Sequence, residues 1–104
     1  MTQHLIQVLL PIHRRDGTVV PAEMFARVRD ELTERFGGVT AYSRSPATGL
    51  WRRDDSEIER DQVIMIEVVV DSFDREWWAQ YREQLEQRFG QEQVHARAIA
   101  IEQI

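Results

Sequence analysis

The chain has 104 residues with 13 basic and 18 acidic side chains, a net charge of −5, 42% apolar residues and a mean hydropathy of −0.47. That length carries one domain over residues 1–104 with one core, and the acidic balance argues against a sequence-independent nucleic-acid or anionic-membrane surface. Every basic residue is an arginine, while lysine, cysteine and asparagine do not occur; this excludes Schiff-base and Walker-type phosphate chemistry, thiol nucleophiles, disulfides, thiolate metal centres and N-glycosylation.

Residues 5–10 are an apolar, partly β-branched run ending at Pro11, which cannot donate to a sheet ladder, so they predict the first strand. After the turn signal Arg14-Arg15-Asp16-Gly17, Pro21 suits a first helical turn, and Met24, Phe25, Val28, Leu32 and Phe36 recur at helical spacing up to Gly37-Gly38. A second strand is expected over residues 39–44, resuming over 49–53 after a kink or bulge at 45–49, with a hairpin turn at 54–56. Residues 62–70 are the most apolar stretch and read as a central strand. Asp71 or Ser72 is the expected cap of a second helix carrying Trp78, Tyr81, Leu85 and Phe89 on one face and ending at Gly90. Residues 94–101 give the last strand.

The resulting β-α-β-β-α-β order predicts an α+β, ferredoxin-like sandwich, with spatial strand order 4-1-3-2 and both helices on one sheet face. An internal echo supports it: Leu32-Thr33-Glu34-Arg35-Phe36-Gly37 and Leu85-Glu86-Gln87-Arg88-Phe89-Gly90 agree at Leu, Arg, Phe and Gly. Both halves end their helix alike. Gly49-x-Trp51-Arg52, Ile58-x-Arg60, the apolar strand from Val63 and Arg88-Phe89-Gly90-Gln91-Glu92-x-Val94 resemble a small bacterial family of α+β proteins of unknown function, over about residues 30–100. The resemblance implies the fold and supplies no activity. The N-terminus shows no basic segment followed by an apolar stretch of signal-peptide length, and no apolar run approaches a membrane span, so a cytoplasmic protein is expected.

Strand parity assigns the faces. Ile6, Val8, Leu10, Val39, Ala41, Ile64, Ile66, Val68 and Val70, with Val94 and the ladder Ala96, Ala98 and Ala100, belong under the helices, the alanines leaving room for Trp78 and Tyr81. The other face carries Leu5, Leu9, Val63, Met65, Val69, Ile99 and Ile101, and a soluble chain rarely leaves such a patch in water. A second copy packed sheet to sheet as a dimeric α+β barrel, a long loop, or a ligand would cover it. The homodimer is the expected partner, because the loops are short and arginine-rich and twofold dimers are the commonest assembly.

Polar residues on that face are therefore informative. With Gln7 opposite Arg97, the residues Glu67, Gln7 and Arg97 converge across three strands, and Tyr42 and Arg44 flank Glu67. As a pocket, Arg97 and Arg44 would hold a small anionic or aromatic ligand, Tyr42 would donate a hydrogen bond and Glu67 would act as general base of a cofactor-independent enzyme. As structure, Glu67 would pair with Arg97 or Arg44 and fix the register of an interface. His95 is expected on the same face, and Trp51 on an arm that folds over it. His4 and His95 fall at opposite ends of antiparallel strands, and His13 with His95 lacks a defined carboxylate, so no metal site or cofactor is expected. Trp78 is expected in the core with Trp77 at its margin, and the arginines at 52, 53 and 60 are answered by neighbouring acids as a solvated hairpin. The combined expectation is a dimeric small-ligand-binding or protein-interaction module, the enzyme being the alternative.

Overall fold

The structure is a computed structural model that describes residues 2–44 and 62–104, the side chains of residues 42–44 excepted. Trp51, the bulge at 45–49, the strand continuation over 49–53 and the hairpin turn at 54–56 lie outside the described residues. The elements are β1 (Gln3–Pro11), α1 (Ala22–Phe36), β2 (Thr40–Arg44), β3 (Val63–Val70), α2 (Arg75–Arg88) and β4 (His95–Ile101). They form an α+β arrangement around a four-stranded sheet of order β2-β3-β1-β4, the expected 4-1-3-2 order read from the other edge, with every neighbouring pair antiparallel.

Local chemistry explains the boundaries. The turn after β1 closes tightly, with Arg14 N donating to Thr18 O at 2.8 Å and Gly17, at φ 90°, donating to Arg14 O. Asp16 Oδ1 accepts from both the backbone and the hydroxyl of Thr18 at 2.9 and 2.7 Å. These bonds hold the Asp16 carboxyl below the usual aspartate range. The turn returns Val20 to the core and sets Pro21 at the helix entrance. α1 stops at Gly37, whose φ of 88° is the left-handed conformation a helix end needs, with its N–H on Thr33 O. The cap of α2 is Asp74 rather than Asp71 or Ser72, its carboxylate accepting from Trp77 N at 3.1 Å. Asp71 is instead engaged by Gln3 Nε2 at 2.6 Å, at the end of the β1–β3 ladder.

The core lies between the helices and one sheet face. Ile6, Val8 and Leu10 of β1 and Ile66, Val68 and Val70 of β3 pack with Val28 and Leu32 of α1 and with Trp78, Tyr81, Leu85 and Phe89. Burying such a side chain contributes roughly 1.5–3 kcal/mol. The two helices are joined by aromatic contacts: Phe36 stacks on Trp78 at 5.3 Å and meets Trp77 edge-on at 5.5 Å. As expected, Trp78 is the buried ring and Trp77 is half-buried at the margin.

The alanine ladder departs from expectation. Ala96, Ala98 and Ala100 are exposed, not sealed beneath α2. Tyr81 does not fill the space above them, because its hydroxyl turns to Glu31 on α1. Among the described residues no helix is long and apolar enough to cross a membrane.

Candidate functional site

Gln7 sits at the centre of the helix-free face. Register places it opposite Glu67 on one side and Arg97 on the other. Its Nε2 donates to Glu67 Oε2 at 2.7 Å, and its Oε1 accepts from Arg97 Nε at 2.7 Å. An amide is the group that can do both, offering hydrogens to the anion and an oxygen to the cation. The expected convergence of Glu67, Gln7 and Arg97 is thus observed, but the two charges do not meet. The carboxamide stands between Glu67 and Arg97 as a relay, which replaces the direct ion pair that the sequence suggested.

The other expected members are spread along the face. Thr40 is opposite Glu67, whereas Tyr42 is opposite Met65 and Arg44 opposite Val63. At about 3.4 Å per residue, Arg44 is therefore some four residues, or about 14 Å, along the strand from the Glu67 level. By register Tyr42 is the diagonal neighbour of Glu67, one row away, whereas Arg44 does not flank Glu67, because the β2–β3 pairing begins at Thr40 rather than nearer the centre of β2. His95 is exposed and falls opposite Leu9, in the row next to Gln7. It is remote from His4, which lies opposite Val70 and Ala100. Among the described residues no group of three or more histidines and carboxylates is placed to hold a metal ion.

The two ends of this face differ. Toward the row Leu9–Met65–His95, Met65 is fully buried (0% exposed). Toward the row Leu5–Val69–Ile99, Val69 is 40% and Ile99 42% exposed. Among the described residues the exposed apolar surface therefore lies at one end, separated from the buried methionine by the polar row.

A second feature, which the sequence reading did not single out, opens on the helix side. Between α2 and the edge strand β4 lies a groove of about 580 Å³. Ala96, Ala98 and Ala100 form its floor; Trp78 and Arg82 of α2 form one wall, and His4, Phe73 and Arg75 close one end. His4 and Phe73 rings lie 5.3 Å apart, and the Arg75 guanidinium sits 5.1 Å from the centre of the Phe73 ring. Three lining residues carry buried polar atoms with no hydrogen-bond partner among the described residues: His4 Nδ1, Trp78 Nε1 and Arg82 Nε. The sequence signal was present in the alternation of three alanines on one side of an edge strand, since small side chains there leave width that a neighbouring helix does not fill.

A third cluster ties the helices together. Glu31 Oε1 of α1 accepts from Tyr81 Oη at 2.8 Å and from Arg88 Nη1 at 2.7 Å, with Arg27 Nε 3.5 Å from the other oxygen. Burial opposes ionisation of Glu31, but the bonds from Arg88 and Tyr81 outweigh it and hold its pKa below the usual glutamate range. Burial and then the Glu31 carboxylate raise the Tyr81 pKa, while the bond to Glu31 raises that of Arg88. With a cation, an anion and a phenol mutually satisfied, this cluster is a structural brace between helices.

No family model, curated protein or solved structure matches the chain.

Proposed function

We propose that the protein is a self-associating module of the ferredoxin-like class, in which two copies close their helix-free sheet faces on each other as a cytoplasmic dimeric α+β barrel. The observation that carries this reading is the row Glu67–Gln7–Arg97, which runs from anion to cation across β3, β1 and β4. A twofold axis parallel to the strands and passing over Gln7 sets Arg97 of each copy over Glu67 of the other. It also keeps like ends together, so that Val69 of one copy lies over Ile99 of its mate. An axis perpendicular to the strands would instead oppose arginine to arginine and glutamate to glutamate. Packed sheets stand ~10 Å apart, within the reach of these long side chains.

Desolvating Glu67 and Arg97 costs free energy that each recovers from the cation or anion of the other copy together with Gln7, so the row acts chiefly on register and orientation. The apolar end supplies the driving force through burial of Leu5, Val69 and Ile99.

Light scattering behind size-exclusion chromatography over a tenfold concentration range tests the reading. A mass about twice the 12.3 kDa chain is expected. Arg97→Glu and Glu67→Arg should each weaken association, and the double exchange should restore it. A monomer throughout, or a dimer indifferent to all three variants, would overturn the proposal.

A further inference from the structure

We propose that the groove between α2 and β4 is a binding site for a small planar aromatic carboxylate. It lies on the helix side of the sheet, independent of the face assigned to self-association. Its volume of about 580 Å³ falls in the range of small-molecule sites, roughly 300–1,000 Å³. The floor is a flat run of methyl groups from Ala96, Ala98 and Ala100, and the walls carry the rings of Trp78, Phe73 and His4. A one- or two-ring planar body fits between such surfaces, with methyls below and aromatic edges beside it.

The polar groups select the sign of the ligand. Arg75 and Arg82 border the groove, and no carboxylate lines it among the described residues. Arg97 also lines the groove, with its Nε committed to Gln7 on the opposite face. Arg82 Nε forms an i,i+4 ion pair with Glu86 at 3.9 Å, beyond hydrogen-bond distance, and that carboxylate already accepts from Val94 N at 3.0 Å. Among the described residues Arg82 Nε is left as a buried donor without a hydrogen-bond acceptor.

Trp78 is 7% exposed, and its indole Nε1 is a second buried donor without a partner among the described residues. An unmet buried donor costs about 1–3 kcal/mol, so native structures rarely keep two beside one groove unless something accepts from them. A carboxylate supplies two acceptor oxygens, matching a guanidinium and an indole N–H one turn apart on the same helix. A neutral or cationic ligand of the same shape would leave these donors unmet.

The probe is 2-naphthoate, compared with neutral 2-naphthalenemethanol, by calorimetry and by proton–nitrogen correlation spectra of the indole N–H groups. The three indole signals are assigned with Trp51→Phe and Trp77→Phe. Expected are saturable naphthoate binding, a shift of the Trp78 signal, and at least tenfold weaker binding of the alcohol. Arg82→Met should weaken naphthoate at least tenfold while leaving the far-ultraviolet circular dichroism unchanged. Ala98→Phe, which fills the floor, should abolish binding; if that variant does not fold, Arg82→Met decides. An unmoved Trp78 signal at millimolar naphthoate, or equal affinity for acid and alcohol, would overturn the proposal. So would an Arg82→Met variant that changes the mass in solution but not naphthoate binding, since the groove would then be a contact between copies.

Discussion

Tyr81 on α2 donates its hydroxyl hydrogen to Glu31 on α1 at 2.8 Å, and the same carboxylate oxygen takes a second hydrogen bond from Arg88, two helical turns further along α2. The contact is mirrored by a second one between the helices, in which the Arg35 guanidinium of α1 lies 4.2 Å from the centre of the Trp77 ring of α2. Arg35 and Arg88 are the equivalent arginines of the two echoing segments, so the internal repeat is expressed as two cations that each reach across to the other helix. One finds a carboxylate and the other an aromatic face.

The Glu31 brace makes stability depend on acid. Its pKa is depressed in the folded state, against an ordinary value of 4.5 in the unfolded chain. Between those two values the unfolded chain holds the extra proton, so the brace contributes in full above pH 4.5 and is lost as pH falls through the folded value. Glu31→Gln keeps the shape and removes the charge. Its cost at pH 7 should be about 1 kcal/mol, because the carboxylate is one-third exposed and screened. In thermal melts the variant should fall about 5 °C below the parent at pH 7. The gap should narrow below pH 4.5; a gap unchanged down to pH 3 would contradict the assignment.

Tyr81→Phe separates the hydroxyl from the ring. The ring stacks on Trp77 at 5.0 Å and stays in place, while Glu31 keeps Arg88. A loss of about 1 kcal/mol is expected in urea unfolding, with an unchanged slope. Burial and the neighbouring carboxylate also push the Tyr81 ionisation above the ordinary tyrosine range. In an absorbance titration of the folded protein, the component titrating above that range should disappear in the variant.

The fold was legible where periodicity and punctuation agreed. The apolar, β-branched run of residues 62–70, helical spacing from Met24 to Phe36 and the terminal glycines placed the elements to within a residue or two, and Gln7, Glu67 and Arg97 met because β parity leaves little freedom once the strand order is known. The position of Arg44 relative to Glu67 was not legible, since it depends on where the β2–β3 pairing begins, and no residue in β2 punctuates it. The cap of α2 was missed by two or three residues because Asp71, Ser72 and Asp74 are all competent caps, and Gln3 on a distant strand removes Asp71 from the choice. The groove was missed for a different reason: Ala96, Ala98 and Ala100 were read as room for Trp78 and Tyr81; Trp78 does line that space, but the bond to Glu31 takes Tyr81 elsewhere.

The two helix-terminal glycines should respond differently to alanine. Gly37 and Gly90 both have positive φ, 88° and 60°. A methyl at Gly37 meets nothing within 4 Å, so only backbone strain of about 1 kcal/mol is expected. At Gly90 the methyl would lie 3.1 Å from Arg14 Cδ, forcing the arginine stem to move. Arg14 can give way at its flexible end, but its Nη2 contact with Met24 Sδ at 4.0 Å should be disturbed. Chemical denaturation should rank Gly90→Ala below Gly37→Ala; the reverse order would show that Arg14 relaxes freely.

The proposed dimer has an orientation that a pair of surface variants can read. If the axis follows the strands, Ile99 of each copy packs against Val69 of the other, at the end of the face where both are about two-fifths exposed in the single chain. Ile99→Asp then buries an unpaired carboxylate in the interface, while in the monomer that side chain still reaches water. The variant should lose the dimer in light scattering yet melt as a monomer with a change within about 0.5 kcal/mol, as surface substitutions usually do. His95→Asp introduces the same group at the opposite end of β4, in the row of the buried Met65. Its effect should be smaller, because that end carries less exposed apolar surface. Equal losses from the two variants would mean that both ends of the face contribute alike, and the strand-parallel axis would lose the support it draws from the uneven exposure.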